Sequence, residues 1–328
     1  MIPVTNTELE GRARSAPRIP AIDIARGLAV VAMVVYHTAW DLSTLALVDL
    51  DVTGSREWNL FARSIAASFL VLVGIGLVLA HGDGIRWPHF LRRVAVIATG
   101  ALAITAATAF FFPSSYIFFG ILHNIALSSL IAVPFLALPP LVTAAVGLAM
   151  LYLPTVVAGG VFDTPILAFL GLGRIPPVTY DWVPVVPWTG YVLAGIAVAR
   201  LVAGVLPRGE GGRIGRLFAT LGRYSLVIYL LHQPLIFGAL FGVQKLVGPN
   251  PRAEIAPFVR DCTQTCTASG QEEGYCRSRC ERTVTCTADA LRREGIWAAV
   301  RDGTASAEFR QRAGNRHAEC LKKTLEGG

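Results

Sequence analysis

The chain has 328 residues, of which 53% are hydrophobic and only 16% are charged. Because soluble domains carry about 25% charged residues, this composition excludes an ordinary soluble protein and predicts a membrane protein. The formal net charge is +7, but the arginines lie in short segments between long apolar runs. That placement is typical of residues that orient membrane helices, and it argues against nucleic-acid binding.

The N-terminal segment carries both signs of charge, with Glu8 and Glu10 beside Arg12, Arg14 and Arg18. No small-residue cleavage site follows the first apolar run, so we expect a signal anchor that is retained rather than a signal peptide that is removed. Residues 1–19 are therefore predicted to form a cytoplasmic tail.

Seven predominantly apolar runs are long enough to cross a bilayer, since a hydrocarbon core of about 30 Å needs about 20 residues of helix. Charged residues, proline or glycine bound each run. The sequence thus predicts an all-α protein whose main part is a polytopic membrane helix bundle of about seven transmembrane helices. The predicted spans are 22–45, 59–80, 90–112, 115–136, 140–160, 183–205 and 223–247.

The connections between these spans differ in charge, and this difference predicts the orientation. Arginines occur in the N-terminal tail, after the second span and after the sixth span, so these segments are assigned to the cytoplasm. An odd number of spans then exports the C-terminus to the periplasm of a bacterial inner membrane. The chain divides accordingly into a transmembrane domain at 20–248 and a periplasmic cysteine-rich helical tail at 249–328.

The first span carries three ionisable residues at helical spacing. Arg26 and His37 are eleven residues apart, which places them on one helix face about 16 Å apart along the axis. Asp41 lies one turn further on and extends that face, so a long substrate could meet a guanidinium, an imidazole and a carboxylate in turn. Alternatively, Arg26 snorkels to lipid phosphates and Asp41 pairs with Arg63 at the interface.

Two further histidines lie within predicted spans, His123 in the fourth and His232 in the seventh. Ionisable side chains are expensive inside a bilayer, so they are the first place to look for function. Together with His37 they could converge on one cavity. The alternative is three unrelated imidazoles, each bonded to a neighbouring helix.

The connection before the sixth span reads Asp-Trp-Val-Pro-Val-Val-Pro-Trp over residues 181–188. Its two prolines and two tryptophans indicate either an aromatic belt beside a broken helix start or the wall of an external substrate entrance.

All six cysteines lie in the tail, and an even number confined to a short soluble segment predicts disulfides in an oxidising compartment. Cysteines four residues apart share one helix face, so two short helices in an antiparallel hairpin would pair the two C-x3-C motifs. The zinc alternative is weaker because no C-x2-C motif occurs. Other pairings stay open at this point. The expected pairs are Cys262 with Cys280, Cys266 with Cys276, and Cys286 with Cys320.

Four motifs follow one another along the membrane region. They are RIPAIDIARG at 18–27 leading to Tyr36 and His37, FGILH at 119–123, the 181–188 segment, and LGRYS at 221–225 leading to LHQP at 231–234. Over roughly residues 18–248 the chain resembles the heparan-alpha-glucosaminide N-acetyltransferase-like membrane proteins of bacteria. The arginine, ten residues, histidine pattern is also similar to that of bacterial membrane acyltransferases that O-acylate surface polysaccharides.

The resemblance implies an acyltransferase that moves an acyl group, with acetyl as the first expectation, from cytoplasmic acyl-CoA to a hydroxyl or amine of a glycan or other cell-envelope acceptor. It implies that Arg26 and His37 serve acyl-CoA use, and no metal is expected. His37 is predicted to be the base or a transient acyl carrier, since an imidazole titrates near working pH. The further catalytic candidates are Asp41, His123 and His232, and the arginines expected to bind the phosphates of acyl-CoA are Arg26, Arg92, Arg93 and Arg223.

Two other functions compete with acyl transfer. Intramembrane His and Arg also mark the ion and substrate paths of transporters, although the sequence has no convincing internal repeat. Two facing transmembrane histidines can also ligate a haem iron, which a Soret band in the purified protein would reveal.

Overall fold

The computed structural model describes residues 19–82, 84–202 and 212–326. Most of the predicted cytoplasmic tail and the segment around Arg208 lie outside these ranges. Apart from short 3-10 turns and one isolated bridge, every regular element within them is an α-helix, so the predicted all-α class is confirmed. The helices are α1 (Pro20–Thr44), α2 (Arg56–His81), α3 (Trp87–Phe111), α4 (Ile121–Ile131), α5 (Pro140–Val157), α6 (Val185–Val202), α7 (Gly212–Arg223), α8 (Ser225–Val247), α9 (Pro251–Ala268), α10 (Glu273–Arg293), α11 (Trp297–Arg301) and α12 (Ala307–Glu326).

The chain forms two compact units. Among the described residues, the first comprises those within 19–34 and 60–232, and the second comprises those within 35–59 and 233–326. Helices α1 and α8 therefore each contribute residues to both units. The predicted domain boundary at residue 248 falls in the connection between α8 and α9.

Six of the described helices are long and apolar enough to cross a membrane, namely α1, α2, α3, α5, α6 and α8. The membrane character predicted from composition is thereby confirmed. The fourth predicted span, 115–136, is represented by the shorter apolar helix α4. Helix α4 begins after Gly120 and ends before a 3-10 turn at Pro134–Leu136, because proline cannot supply the backbone N–H that a continuing helix requires.

The predicted seventh span also differs at its start. Residues that the sequence assigned to a cytoplasmic connection form a separate helix, α7, and the long apolar helix begins at Ser225 rather than at Arg223. Helix α7 carries Arg213 and Arg216 and also exposes Ile214 and Leu217. A helix that combines exposed basic and apolar side chains suits the interface between lipid headgroups and acyl chains.

The first unit has one main apolar core, to which α2, α3, α4 and α6 contribute. Leu70, Leu77, Leu193 and Ile196 are completely buried at its centre. Helices of a membrane bundle gain little hydrophobic energy by leaving lipid, so close packing of side chains must hold this core together.

The cysteine-rich tail folds as a helical hairpin, α9 and α10, followed by α11 and α12. All three predicted disulfides are present, joining Cys262 to Cys280, Cys266 to Cys276, and Cys286 to Cys320. The predicted pairing is confirmed because the two C-x3-C motifs do lie on facing helices. A small apolar cluster around Leu291, Ile296 and Trp297 completes the tail.

The tail is attached to the connection between α1 and α2, which belongs to the same unit. The Arg260 guanidinium of α9 lies 2.8 Å from an Asp49 oxygen and 3.6 Å from an Asp51 oxygen. The backbone N–H of Asn250 also donates to the carbonyl oxygen of Ala46 at 2.8 Å. The tail and this connection therefore lie on the same side of any membrane that the chain crosses.

Glu254 is a buried charged residue of the tail. Its carboxylate accepts hydrogen bonds from Arg292 at 2.7 Å, from the Trp297 indole at 3.2 Å, and from Arg301. Burial alone would raise the pKa of Glu254, but the hydrogen bonds from these three side chains and the charge of Arg301 outweigh it and hold the pKa below its usual value.

This depressed pKa predicts acid sensitivity of the tail. A carboxylate whose pKa is lower in the folded than in the unfolded protein stabilises the fold above the unfolded value of about 4.3, and that stability is lost as pH falls through the folded pKa. At neutral pH, Glu254→Gln should lower the free energy of unfolding by about 3 kcal/mol, because it leaves two arginines without a buried counter-charge. Hydrogen exchange of tail amides would measure both effects.

Glu308→Gln is the matched control, because Glu308 pairs with Arg312 on the exposed face of α12. That change should cost about 0.5 kcal/mol or less. If the Glu254 and Glu308 variants lost stability equally, the buried network would not stabilise the tail.

Candidate active site

The first unit contains a cavity of about 1140 Å³ lined by several basic residues, here called the basic cavity. Helices α1, α2, α3, α4, α7 and α8 all contribute lining residues. Its lining includes one acidic residue, Asp23, and five arginines, namely Arg26, Arg86, Arg92, Arg93 and Arg223. Of the arginines that the sequence assigned to acyl-CoA, all four line this one cavity.

The first turns of α1 place Arg26 in the cavity wall. Its guanidinium lies 3.3 Å from Asp23, one turn earlier on the same helix, and the Arg26 and Asp23 side chains are 27% and 17% exposed. Gly76 of α2 faces the guanidinium, and a Cβ atom there would come within 2.9 Å of an Arg26 nitrogen. The side chain is thus held against protein by an ion pair and by the space that glycine leaves.

Helix α7 approaches α1 closely beside the same cavity. A Cβ atom at Gly222 would lie 1.9 Å from the carbonyl oxygen of Asp23, and one at Gly27 would lie 2.0 Å from that of Phe218. No side chain fits at either position, so both glycines allow the backbones to meet. The contact explains two of the sequence motifs, the glycine after Arg26 and the glycine before Arg223.

The imidazole of His123 is engaged at the start of α4. Its Nδ1 accepts from the backbone N–H of Gly120 at 3.2 Å, so the proton is on Nε2, which lies 3.1 Å from the Thr105 hydroxyl oxygen. That hydroxyl in turn donates to the Ile117 carbonyl at 2.7 Å. Both ring nitrogens therefore cap and anchor the helix, and a catalytic role for His123 stays a prediction.

His232 lies on α8 and is buried. Its Nδ1 is 2.8 Å from the carbonyl oxygen of Tyr229 and 3.1 Å from that of Ile228. Because a carbonyl oxygen only accepts, Nδ1 carries a proton, and in the neutral imidazole Nε2 then holds the lone pair. The ring nitrogen that can accept a proton is therefore Nε2, which points away from the carbonyls of its own helix.

In the second unit, His37 and Asp41 lie one turn apart on α1. The ring of His37 meets that of Tyr36 edge-on, with centroids 5.5 Å apart. Asp41 is completely buried, and its Oδ1 accepts from the side-chain amide of Gln233 at 2.8 Å. The hydrogen-bond partner of Asp41 is thus an amide of α8. The predicted convergence of three histidines stays a prediction, because His37 belongs to the second unit and the other two to the first.

The 181–188 segment anchors the start of α4 and contributes to the lining of a second cavity. Asp181 accepts from the backbone N–H of Ile121 at 2.9 Å, which anchors the start of α4, and burial raises the pKa of Asp181 to about 6. Trp182 lines a second cavity of about 360 Å³, together with the rings of Tyr116, Phe118 and Phe162. Trp182 therefore lines a cavity, and a substrate entrance at this segment stays a prediction.

Sequence reasoning did not assign three residues that the structure associates with these sites. Arg86 and His89 line the basic cavity, and Gln233 binds Asp41. The signal available for Gln233 was its polarity within an apolar helix. Among residues 19–82, 84–202 and 212–326, no three His, Cys, Asp or Glu side chains are grouped as ligands for a metal ion.

The comparisons with known proteins give one match. The family model for the heparan-alpha-glucosaminide N-acetyltransferase catalytic region matches residues 18–234, about two thirds of the chain. No curated protein and no solved structure matches. The matched range includes every residue that lines the basic cavity, together with His37, Asp41 and Gln233.

Proposed function

Because the chain belongs to the heparan-alpha-glucosaminide N-acetyltransferase catalytic family, we propose that it transfers an acetyl group from acetyl-CoA to a hydroxyl or amine of a cell-envelope glycan or related acceptor. The observation that carries this proposal is the basic cavity. Its five arginines and one aspartate leave a strong excess of positive charge around one open cavity. The family assignment favours acyl transfer over the transporter and haem interpretations.

Coenzyme A presents a diphosphate and a ribose phosphate, and guanidinium groups bind phosphate oxygens through paired, charge-assisted hydrogen bonds. Arg26, Arg92, Arg93 and Arg223 are proposed to hold these phosphates, with Arg86 as a fifth contributor. A volume of about 1140 Å³ also exceeds the range that most small-molecule sites occupy, which suits a ligand as long as acetyl-CoA.

The transfer step is proposed to use His37 as general base. The acceptor oxygen or nitrogen attacks the thioester carbonyl, its proton passes to the imidazole, the new C–O or C–N bond forms, and the C–S bond breaks. The coenzyme A thiolate then takes up a proton. Arg26 and His37 are both on α1, and their eleven-residue spacing corresponds to about 16 Å, which the pantetheine arm of coenzyme A can span.

Purified protein in lipid vesicles should transfer labelled acetyl from acetyl-CoA to an envelope fraction prepared from cells that lack the gene. Stoichiometric release of free coenzyme A and a mass increase of one acetyl group in an acceptor would support the proposal. Release of coenzyme A without any acetylated acceptor would show that the protein only hydrolyses acetyl-CoA. Recovery of intact acetyl-CoA would refute the proposal.

We also infer the topology of the membrane region. The tail and the α1–α2 connection lie on one side, so the chain between them crosses the membrane an even number of times. Helices α2, α3, α5, α6 and α8 give five crossings, and the segment around α4 is proposed to supply the sixth. With the arginine-rich segments in the cytoplasm, the tail is periplasmic.

Fusions of a periplasm-dependent phosphatase test this topology. A fusion at Gly328 should be active, and a fusion after Arg213 should be inactive. The opposite pair of results would show that the orientation is inverted. Activity at both positions would show that α8 does not cross the membrane.

A further inference from the structure

The contact between Asp41 and Gln233 is incomplete as a hydrogen-bonded pair. The amide nitrogen of Gln233 donates to Asp41 Oδ1 at 2.8 Å. The other two oxygens, Asp41 Oδ2 and Gln233 Oε1, are both buried, and neither accepts a hydrogen bond from any residue in the described part of the chain. These two side chains are hydrogen-bonded to each other, and each retains one acceptor atom without a donor.

Such an arrangement is unusual for a purely structural contact. Buried acceptors are normally satisfied because an unmet hydrogen bond is costly, and the cost is greater for a charged group in an apolar environment. Asp41 is completely buried, and 192 residues of sequence separate it from Gln233. The fold therefore brings two polar side chains together in an apolar bundle. Each of them has one acceptor atom that receives no hydrogen bond.

Some other polar side chains of the described bundle do not share this property. Asn124, for example, donates to two backbone carbonyls and accepts from the Ser128 hydroxyl. On α8 itself, the side-chain amide nitrogen of the partly buried Gln244 donates to the carbonyl of Leu45 at 2.9 Å. Asp41 Oδ2 and Gln233 Oε1 therefore lack the kind of partners that the buried Asn124 side chain has.

We propose that Asp41 and Gln233 form the subsite that binds the acceptor of the transferred acyl group. Asp41 Oδ2 and Gln233 Oε1 each accept one hydrogen bond, so the subsite takes a group that presents two donor hydrogens. An amino group and a pair of neighbouring hydroxyls both meet this requirement, whereas lipid acyl chains present no donor.

This inference rests on the proposed function, and the position of the pair supports it. Asp41 follows His37 by one turn on the same face of α1. A nucleophile bound by the Asp41 carboxylate would accordingly lie beside the imidazole that is proposed to take its proton. Gln233 acts in two ways, because its amide nitrogen orients the carboxylate and its amide oxygen contacts the acceptor.

Gln233→Met tests the subsite, since methionine keeps the length of the side chain and removes both polar atoms. The probe acceptors are cyclohexylamine and vicinal cyclohexanediol, with methoxycyclohexane as a probe that has no donor. The KM for the first two should rise at least tenfold in the variant, while the KM for acetyl-CoA changes less than twofold. A merely structural defect would raise both constants. Gln244→Met is the matched control and should change neither the KM for the probe acceptors nor the KM for acetyl-CoA.

A binding measurement separates this inference from the proposed function. Cyclohexylamine or the diol should raise the melting temperature of the wild-type protein, and neither should do so in Gln233→Met. That result would support the subsite even if no acetyl transfer were found. If Gln233→Met did not fold, Asp41→Asn would be measured in its place. Equal probe binding by wild type and a folded variant, or an unchanged acceptor KM, would refute the subsite.

Discussion

Replacing His37 by alanine should lower the rate of acetyl transfer at least about a hundredfold, because positioned proton transfer is worth about a hundred to ten thousand-fold. A neutral imidazole can take up the proton of the acceptor as the new bond forms. Alanine is a strong helix former, so α1 should remain intact. The variant should therefore insert and fold like the wild type while losing turnover.

The measurement is kcat for acetyl transfer, with circular dichroism to check that the variant is folded. His317→Ala is the control, because His317 lies on an exposed position of the tail helix α12. A near-normal kcat in His37→Ala would transfer the role of base to another imidazole. His232 would be the next candidate, since its Nε2 holds the lone pair.

Replacing Arg26 by alanine should raise the KM for acetyl-CoA by about tenfold to a hundredfold, the range expected for losing one charge-assisted hydrogen bond. The value of kcat should change little, because the guanidinium is proposed to grip phosphates far from the reacting carbonyl. Asp23 would also lose its partner and add a repulsive charge to the cavity wall. Both effects weaken donor binding in the same direction.

Arg216→Ala is the matched control, because Arg216 is exposed on α7 and does not line the basic cavity. Acetyl-dephospho-CoA, which lacks the ribose phosphate, shows which phosphate each arginine binds. If replacing an arginine raises the KM for acetyl-CoA but not the KM for acetyl-dephospho-CoA, that arginine contacts the ribose phosphate. An unchanged KM in Arg26→Ala would exclude the basic cavity as the donor site.

Much of the secondary structure could be predicted because it depends on residues close together in sequence. Apolar runs bounded by charge predicted spans at 59–80 and 90–112, and the structure has Arg56–His81 and Trp87–Phe111 there. The disulfide pairing could also be predicted, since a spacing of four residues puts both cysteines of each motif on one helix face. Each of these predictions depends only on residues that lie within a few helical turns of one another.

The candidate site was predictable only in part. The spacing along α1 identified Arg26, His37 and Asp41, because helical periodicity relates residues on one helix. It did not identify Arg86 as a cavity residue or Gln233 as the partner of Asp41. Each of those assignments requires knowledge of which helices are neighbours, and a single sequence does not contain that information.

The amino-acid sequence by itself determined the membrane character, most of the long helices and the bonded cysteines, since composition and short-range periodicity fix them. Tertiary structure alone decided three other features. The start of α4 is anchored by Asp181, which accepts a hydrogen bond from the first N–H of that helix, 60 residues away in sequence. The basic cavity depends on six helices meeting, with Gly27 and Gly222 allowing the closest approach. The contact between Asp41 and Gln233 depends on packing α1 against α8, because the energy of a buried polar contact is realised only after distant segments come together.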